Sequence, residues 1–100
     1  MRILAIAALA LAAATGSATA FAADARLSDA QFVQLSRCRG LASGDFAEKL
    51  ALAVKAQKRG RADFVIERAW GAQTDAARLA RTDAAAAQAA LAADCDRFGV

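Results

Sequence analysis

The chain has 100 residues, 13 Lys plus Arg against 10 Asp plus Glu, and no histidine, tyrosine or proline. That length supports one domain, and the missing histidine removes the most frequent general base, the most frequent zinc ligand and any Ser-His or Cys-His nucleophile pair. A net charge of +3 falls well short of the dense basic face of a nucleic-acid binder, so no nucleic-acid partner is expected.

Arg2 precedes an apolar run from Ile3 to Ala14, followed by Thr15, Gly16, Ser17 and Thr19 and by the small-x-small sites Ala18-Thr19-Ala20 and Ala20-Phe21-Ala22. This is the order of a secretory signal peptide. An apolar run of about a dozen residues is shorter than the roughly 20 that cross a bilayer, so the segment reads as a cleaved signal and not as an anchor. The expected organisation is a signal peptide over residues 1–22, cut after Ala22 or Ala20, and one small helical domain over residues 23–100. The mature chain is expected in the periplasm or outside the cell, not embedded in a membrane.

Without proline, with few β-branched residues and with abundant alanine, every longer segment favours helix. Ser28 with Gln31 three positions on is a capping-box pattern, and Phe32, Leu35, Cys38 and Ala42 follow at near-helical spacing. Gly40 and the pair Ser43-Gly44 offer stops. Asp45 is the expected cap of a second helix carrying Phe46, Leu50 and Val54, which ends at Lys58-Arg59-Gly60, where cations suit the negative end of the helix dipole. Residues 61–81 fit a third helix with Val65, Ala69, Ala72 or Gln73, Ala76 and Ala80 on one side, Ile66 and Trp70 beside them, and a bend allowed at Gly71. Thr82 or Asp83 can start a last helix whose seam is Ala84, Ala87, Leu91, Cys95 and Phe98. Neither glycine nor proline marks that junction, so residues 61–98 as one continuous helix is the alternative, giving three helices. The expected core is Phe32, Leu35, Leu41, Phe46, Leu50, Val54, Phe64, Val65, Ile66, Trp70, Leu79, Leu91 and Phe98, padded by alanine.

The two cysteines sit in opposite charge settings, Arg37-Cys38-Arg39 and Asp94-Cys95-Asp96. In an oxidising compartment they are expected to form a structural disulfide with Arg37 and Arg39 drawn into ion-pairing range of Asp94 and Asp96; a redox-active or intermolecular bridge is the alternative. Closing a loop across 57 positions stabilises by about 4 kcal/mol in the chain-entropy model. Both cysteines lie toward the C-terminal ends of their helices, and the first and last helices of an up-down bundle run antiparallel. The thiols would then miss by roughly 12 Å along the axis at 1.5 Å per residue, whereas bridged Cα atoms lie within about 7 Å. The last helix is therefore expected to slide, to cross steeply or to pair with a partner chain, and the preferred fold is all-α, a crossed and irregular four-helix domain stapled by Cys38–Cys95.

Catalytic and metal chemistry find little to work with. The cysteines have neither zinc-site spacing nor a C-x-x-C arrangement, and no glycine-rich phosphate loop is present, so no metal and no cofactor is expected. Asp45 with Lys49, Asp75 with Arg78 and Asp94 with Arg97 have the spacing of solvated pairs on helix surfaces. The densest basic cluster, Lys55, Lys58, Arg59 and Arg61, is followed by Trp70. It is the candidate binding patch, for an acidic protein or another anionic component of the cell envelope. The bland alternative is a helix end dressed with cations and a tryptophan in the core. The stretch Ala84–Ala93 permits close helix approach, within the fold or across a homodimer.

The sequence thus points to a small exported helical protein that acts by binding and not by catalysis. In length, signal peptide, helical content and single long-range bridge it resembles the small acid-stress chaperones of the bacterial periplasm. That resemblance implies a stress- or acid-activated holdase that exposes apolar surface as carboxylates protonate. An inhibitor or adaptor docking on an envelope partner through a fixed patch is the other reading.

Overall fold

Ser28 accepts a hydrogen bond from the Gln31 backbone N–H (3.1 Å) while the Gln31 side chain accepts one from the Ser28 N–H (2.9 Å), so the predicted capping box opens the first helix. The computed structural model describes residues 26–98; the predicted signal peptide lies outside the described residues. Among these the chain forms four helices, α1 (Asp29–Leu41), α2 (Gly44–Lys58), α3 (Asp63–Thr82) and α4 (Ala84–Asp94), followed by a short 3₁₀ turn, Asp96–Phe98. None of these helices is long and apolar enough to cross a membrane.

Asp83 decides between three helices and four. Its backbone leaves helical geometry (φ −150°, ψ 80°), its N–H donates to the Leu79 carbonyl, and its carboxylate accepts from the Ala86 N–H at 3.1 Å. One residue therefore closes α3 and caps α4, without the glycine or proline that usually marks such a break.

The start of α2 differs from expectation. Its N-cap is Ser43, in extended backbone, and not Asp45. Gly44 at φ +64° lets the chain turn immediately from the end of α1 into α2, which leaves Asp45 in the first turn to complement the helix dipole. Gly60 at φ +80° follows the C-terminal end of α2 where the sequence placed its stop.

Gly40 is not a stop. It lies inside α1, where a Cβ would fall well inside 3.0 Å of the Gln73 carbonyl oxygen and 2.9 Å from the Ala76 Cβ. Only a bare backbone lets α1 and α3 approach so closely. α1 is the shared element of the fold, packing against α2, α3 and α4, and this makes the arrangement irregular instead of a symmetric bundle.

The main core gathers Leu27, Leu35, Cys38, Leu41, Leu50, Ala76, Ala87, Cys95 and Phe98, and a smaller cluster joins Phe32 to Val65 and Ala69. Three expected core residues are not there: Phe64 is 62% exposed and Trp70 67%, and Ile66 is half-buried outside both clusters. On α3 the buried positions are Val65, Ala69 and Ala76, mostly small side chains that suit the close approach at Gly40. Phe64 and Trp70 each stand one residue, about 100° of helix, away from that stripe. Leu27, ahead of the first helix, is buried instead.

Cys38 and Cys95 are joined by a disulfide with a Cα–Cα distance of 5.7 Å, and both are fully buried. Such a bridge fits an oxidising, extracytoplasmic compartment. Cys95 is the C-cap of α4, so the short last helix meets α1 at its own end.

Candidate functional site

Three helices each contribute one face to an open groove. α1 provides Phe32, Ser36 and Arg39, α2 provides Ala51, Val54, Lys55 and Lys58, and α3 provides Ile66, Ala69, Trp70 and Gln73. The spacings are i, i+4, i+7 on α1 and i, i+3, i+4, i+7 on the other two, so every wall is one helical stripe about two turns long. The groove encloses about 330 Å³, near the lower end of ligand-sized sites.

Its floor and walls are apolar where Phe32, Val54, Ile66, Ala69 and Trp70 meet, and its charged residues, Arg39, Lys55 and Lys58, are all cations. No carboxylate lines it, and among the described residues none of the three takes part in an ion pair. Ser36 is 1% exposed, and its hydroxyl has no hydrogen-bond partner among the described residues. An orphaned buried hydroxyl costs about 1–3 kcal/mol, and here it lies in the α1 wall of the groove.

The five residues of the predicted patch divide. Lys55, Lys58 and Trp70 line the groove. Arg59 does not; it is exposed beyond the end of α2, and its carbonyl accepts a hydrogen bond from the Arg26 guanidinium. Arg61 is built into the fold, with a side chain only 4% exposed. Its guanidinium donates to the Leu27 carbonyl (2.7 Å), the Gln57 carbonyl (2.8 Å) and side chain (3.2 Å), and Asp29 (2.8 Å), and stacks on the Phe32 ring at 4.7 Å. With the Leu27 N–H donating to Gln57 Oε1 at 3.0 Å, this network ties the segment before α1 to the end of α2.

The four charged neighbours of the disulfide divide as well. Arg37 pairs with Asp94 at 3.2 Å, with both side chains partly exposed. Arg39 and Asp96 make no ion pair among the described residues, which corrects the expectation that both arginines would be drawn to both aspartates. On a helix the residues before and after Cys38 point about 100° to either side of it, so one faces α4 and the other the groove. Asp94, expected to pair with Arg97, is taken by Arg37, while Asp75 and Arg78 pair at 3.4 Å as their spacing suggests. The Asp45–Lys49 pair is not formed.

Sequence reasoning missed Ser36 and Arg39 as groove residues, although Phe32, Ser36 and Arg39 stand at i, i+4, i+7 and that signal was present. Chemically the arrangement offers charge neutralisation beside apolar contact. Among the described residues no group of three or more Cys, Asp or Glu is placed to hold a metal ion. No protein-family model, curated protein or solved structure gives a significant match to this chain.

Proposed function

We propose that this chain is an exported binding protein, and that the groove around Trp70 is the face on which an anionic, partly apolar partner docks. The observation that carries this reading is the coincidence of three cations without carboxylate partners among the described residues and a two-thirds-exposed tryptophan on one concave surface. The signal-peptide pattern of residues 1–22 and the buried disulfide support export to the periplasm or beyond. Trp70 is the only tryptophan, so its emission reports on the groove directly. In a titration with anionic probes of several kinds, dextran sulfate, phosphatidylglycerol vesicles and acidic peptides, at least one is expected to shift the emission at low salt and to lose that effect in Lys55→Glu/Lys58→Glu. Silence toward the whole panel contradicts the reading.

A stress-activated chaperone-like role is the second reading, favoured by how α4 is attached. Ala87 is the only buried residue of that helix; Ala90 and Leu91 add partial contacts, and alanine buries little area per contact. Release of α4, still tethered by Cys95, would uncover the part of the main core on which Ala87, Ala90 and Leu91 pack. A polarity-sensitive dye followed from pH 7 to pH 3 separates the readings: a flat response with retained helicity removes the chaperone.

A further inference from the structure

The cations of the groove are spread along it and do not converge on one point. Phe32 packs with Val65 and Ala69, while Gly40 meets Gln73 and Ala76, so α1 and α3 run in the same direction in register. Val54 packs on the Phe32 cluster and Gln57 bonds to Leu27, so α2 runs the opposite way. Arg39 consequently stands at the Gln73 end of the groove, Lys58 at the Phe32 and Ile66 end, and Lys55 between them. The seven-residue step from Phe32 to Arg39 along α1 spans about 10 Å. A ligand with a single acidic head group can neutralise only one end of such a row, and a bilayer surface does not enter a concavity. An acidic amphipathic helix meets both demands: its apolar side chains at i, i+3 or i+4 and i+7 fill the floor, and its flanking carboxylates recur along the row of cations.

We infer that the groove is a docking site for an acidic amphipathic helix of a partner protein, laid between α1, α2 and α3 as a missing fourth member of that helix group. This rests on the proposed binding role and names its partner's chemistry. The carboxylates pair with Arg39, Lys55 and Lys58, and the apolar residues bury Trp70.

The test uses the disulfide-bonded protein and an acetylated synthetic helix with leucines at i, i+4 and i+7, glutamates flanking them and no lysine, compared with a scrambled peptide of the same composition. The designed helix is expected to shift Trp70 emission and to bind at least about tenfold more tightly than the scramble. Arg39→Glu and Lys55→Glu/Lys58→Glu, all on partly or fully exposed side chains, are each expected to weaken it about tenfold or more, with unchanged circular dichroism. Lys49→Glu, on α2 but outside the groove, leaves binding unchanged. Equal affinity for the scramble, or indifference to the groove charges, overturns the inference. If vesicles or dextran sulfate shift Trp70 and the helix does not, the partner is of another class and only the wider binding role survives. If neither does, both fail. A groove already covered in solution by a second copy, seen as a dimer that Trp70→Glu dissociates, also overturns it.

Discussion

Gly40 and Gln73 touch backbone to backbone: the α carbon of the one faces the carbonyl of the other so closely that no side chain fits between them. This contact sets the distance between α1 and α3 and, with it, the width of the groove whose walls those helices form. Gly40→Ala cannot be absorbed by a flexible side chain, because the obstruction is main chain. The substitution is expected to destabilise by about 1–3 kcal/mol, despite the better helix propensity of alanine. Gly71→Ala, in the interior of α3 with nothing within 4 Å of the added carbon, is expected to stabilise by about 0.5–1 kcal/mol. Urea midpoints of the two variants should move in opposite directions.

Arg61 is held inside the fold, and its replacement is expected to act on stability. Replacing it with methionine removes the guanidinium donor from the carbonyls of Leu27 and Gln57 and should cost about 2–3 kcal/mol. Lysine should rescue little, since one ammonium cannot reproduce the fork of donors. Asp29→Asn, at the exposed end of the same pair, should cost under about 1 kcal/mol. Thermal melts of the three variants rank them, and Trp70 emission should be insensitive to each.

Ser36→Ala removes a hydroxyl that is buried without a partner among the described residues from a helix interior. The expected change is a gain of about 1 kcal/mol, read from urea denaturation. A loss of that size would mean that the hydroxyl is satisfied in solution.

Reduction of Cys38–Cys95 should lower stability by about 4 kcal/mol, most visibly at α4, which is otherwise held through Ala87, Ala90 and Leu91. Hydrogen exchange of the reduced protein should rise first in residues 84–94 and last in α1.

The sequence disclosed the helices better than their burial. Ser28 and Gln31 announced their cap, and the opposed charges at Cys38 and Cys95 announced the bridge, because both signals are local chemistry. Asp83 was ambiguous since one carboxylate does the work of a glycine or proline. Trp70 was misplaced for a physical reason: on α3 the buried stripe is Val65, Ala69 and Ala76, so the small residues are inside and the large ones outside, the reverse of what hydropathy suggests. The groove was half legible. Lys55, Lys58 and Trp70 group by position, whereas Arg39 reads as part of the bridge because its neighbour Arg37 belongs there, and the i, i+4, i+7 spacing of Phe32, Ser36 and Arg39 marks a helix stripe without telling groove from core.

The chain has three lysines, Lys49, Lys55 and Lys58, all exposed on α2, and only the last two line the groove. Amine-reactive labelling of the protein saturated with the acidic helix, resolved by residue and compared with the free protein, therefore carries its own control. Protection of Lys55 and Lys58 by severalfold, with Lys49 unchanged, is the result predicted for docking beside Trp70. Equal protection at all three, or at Lys49 alone, places the bound helix elsewhere and contradicts the account.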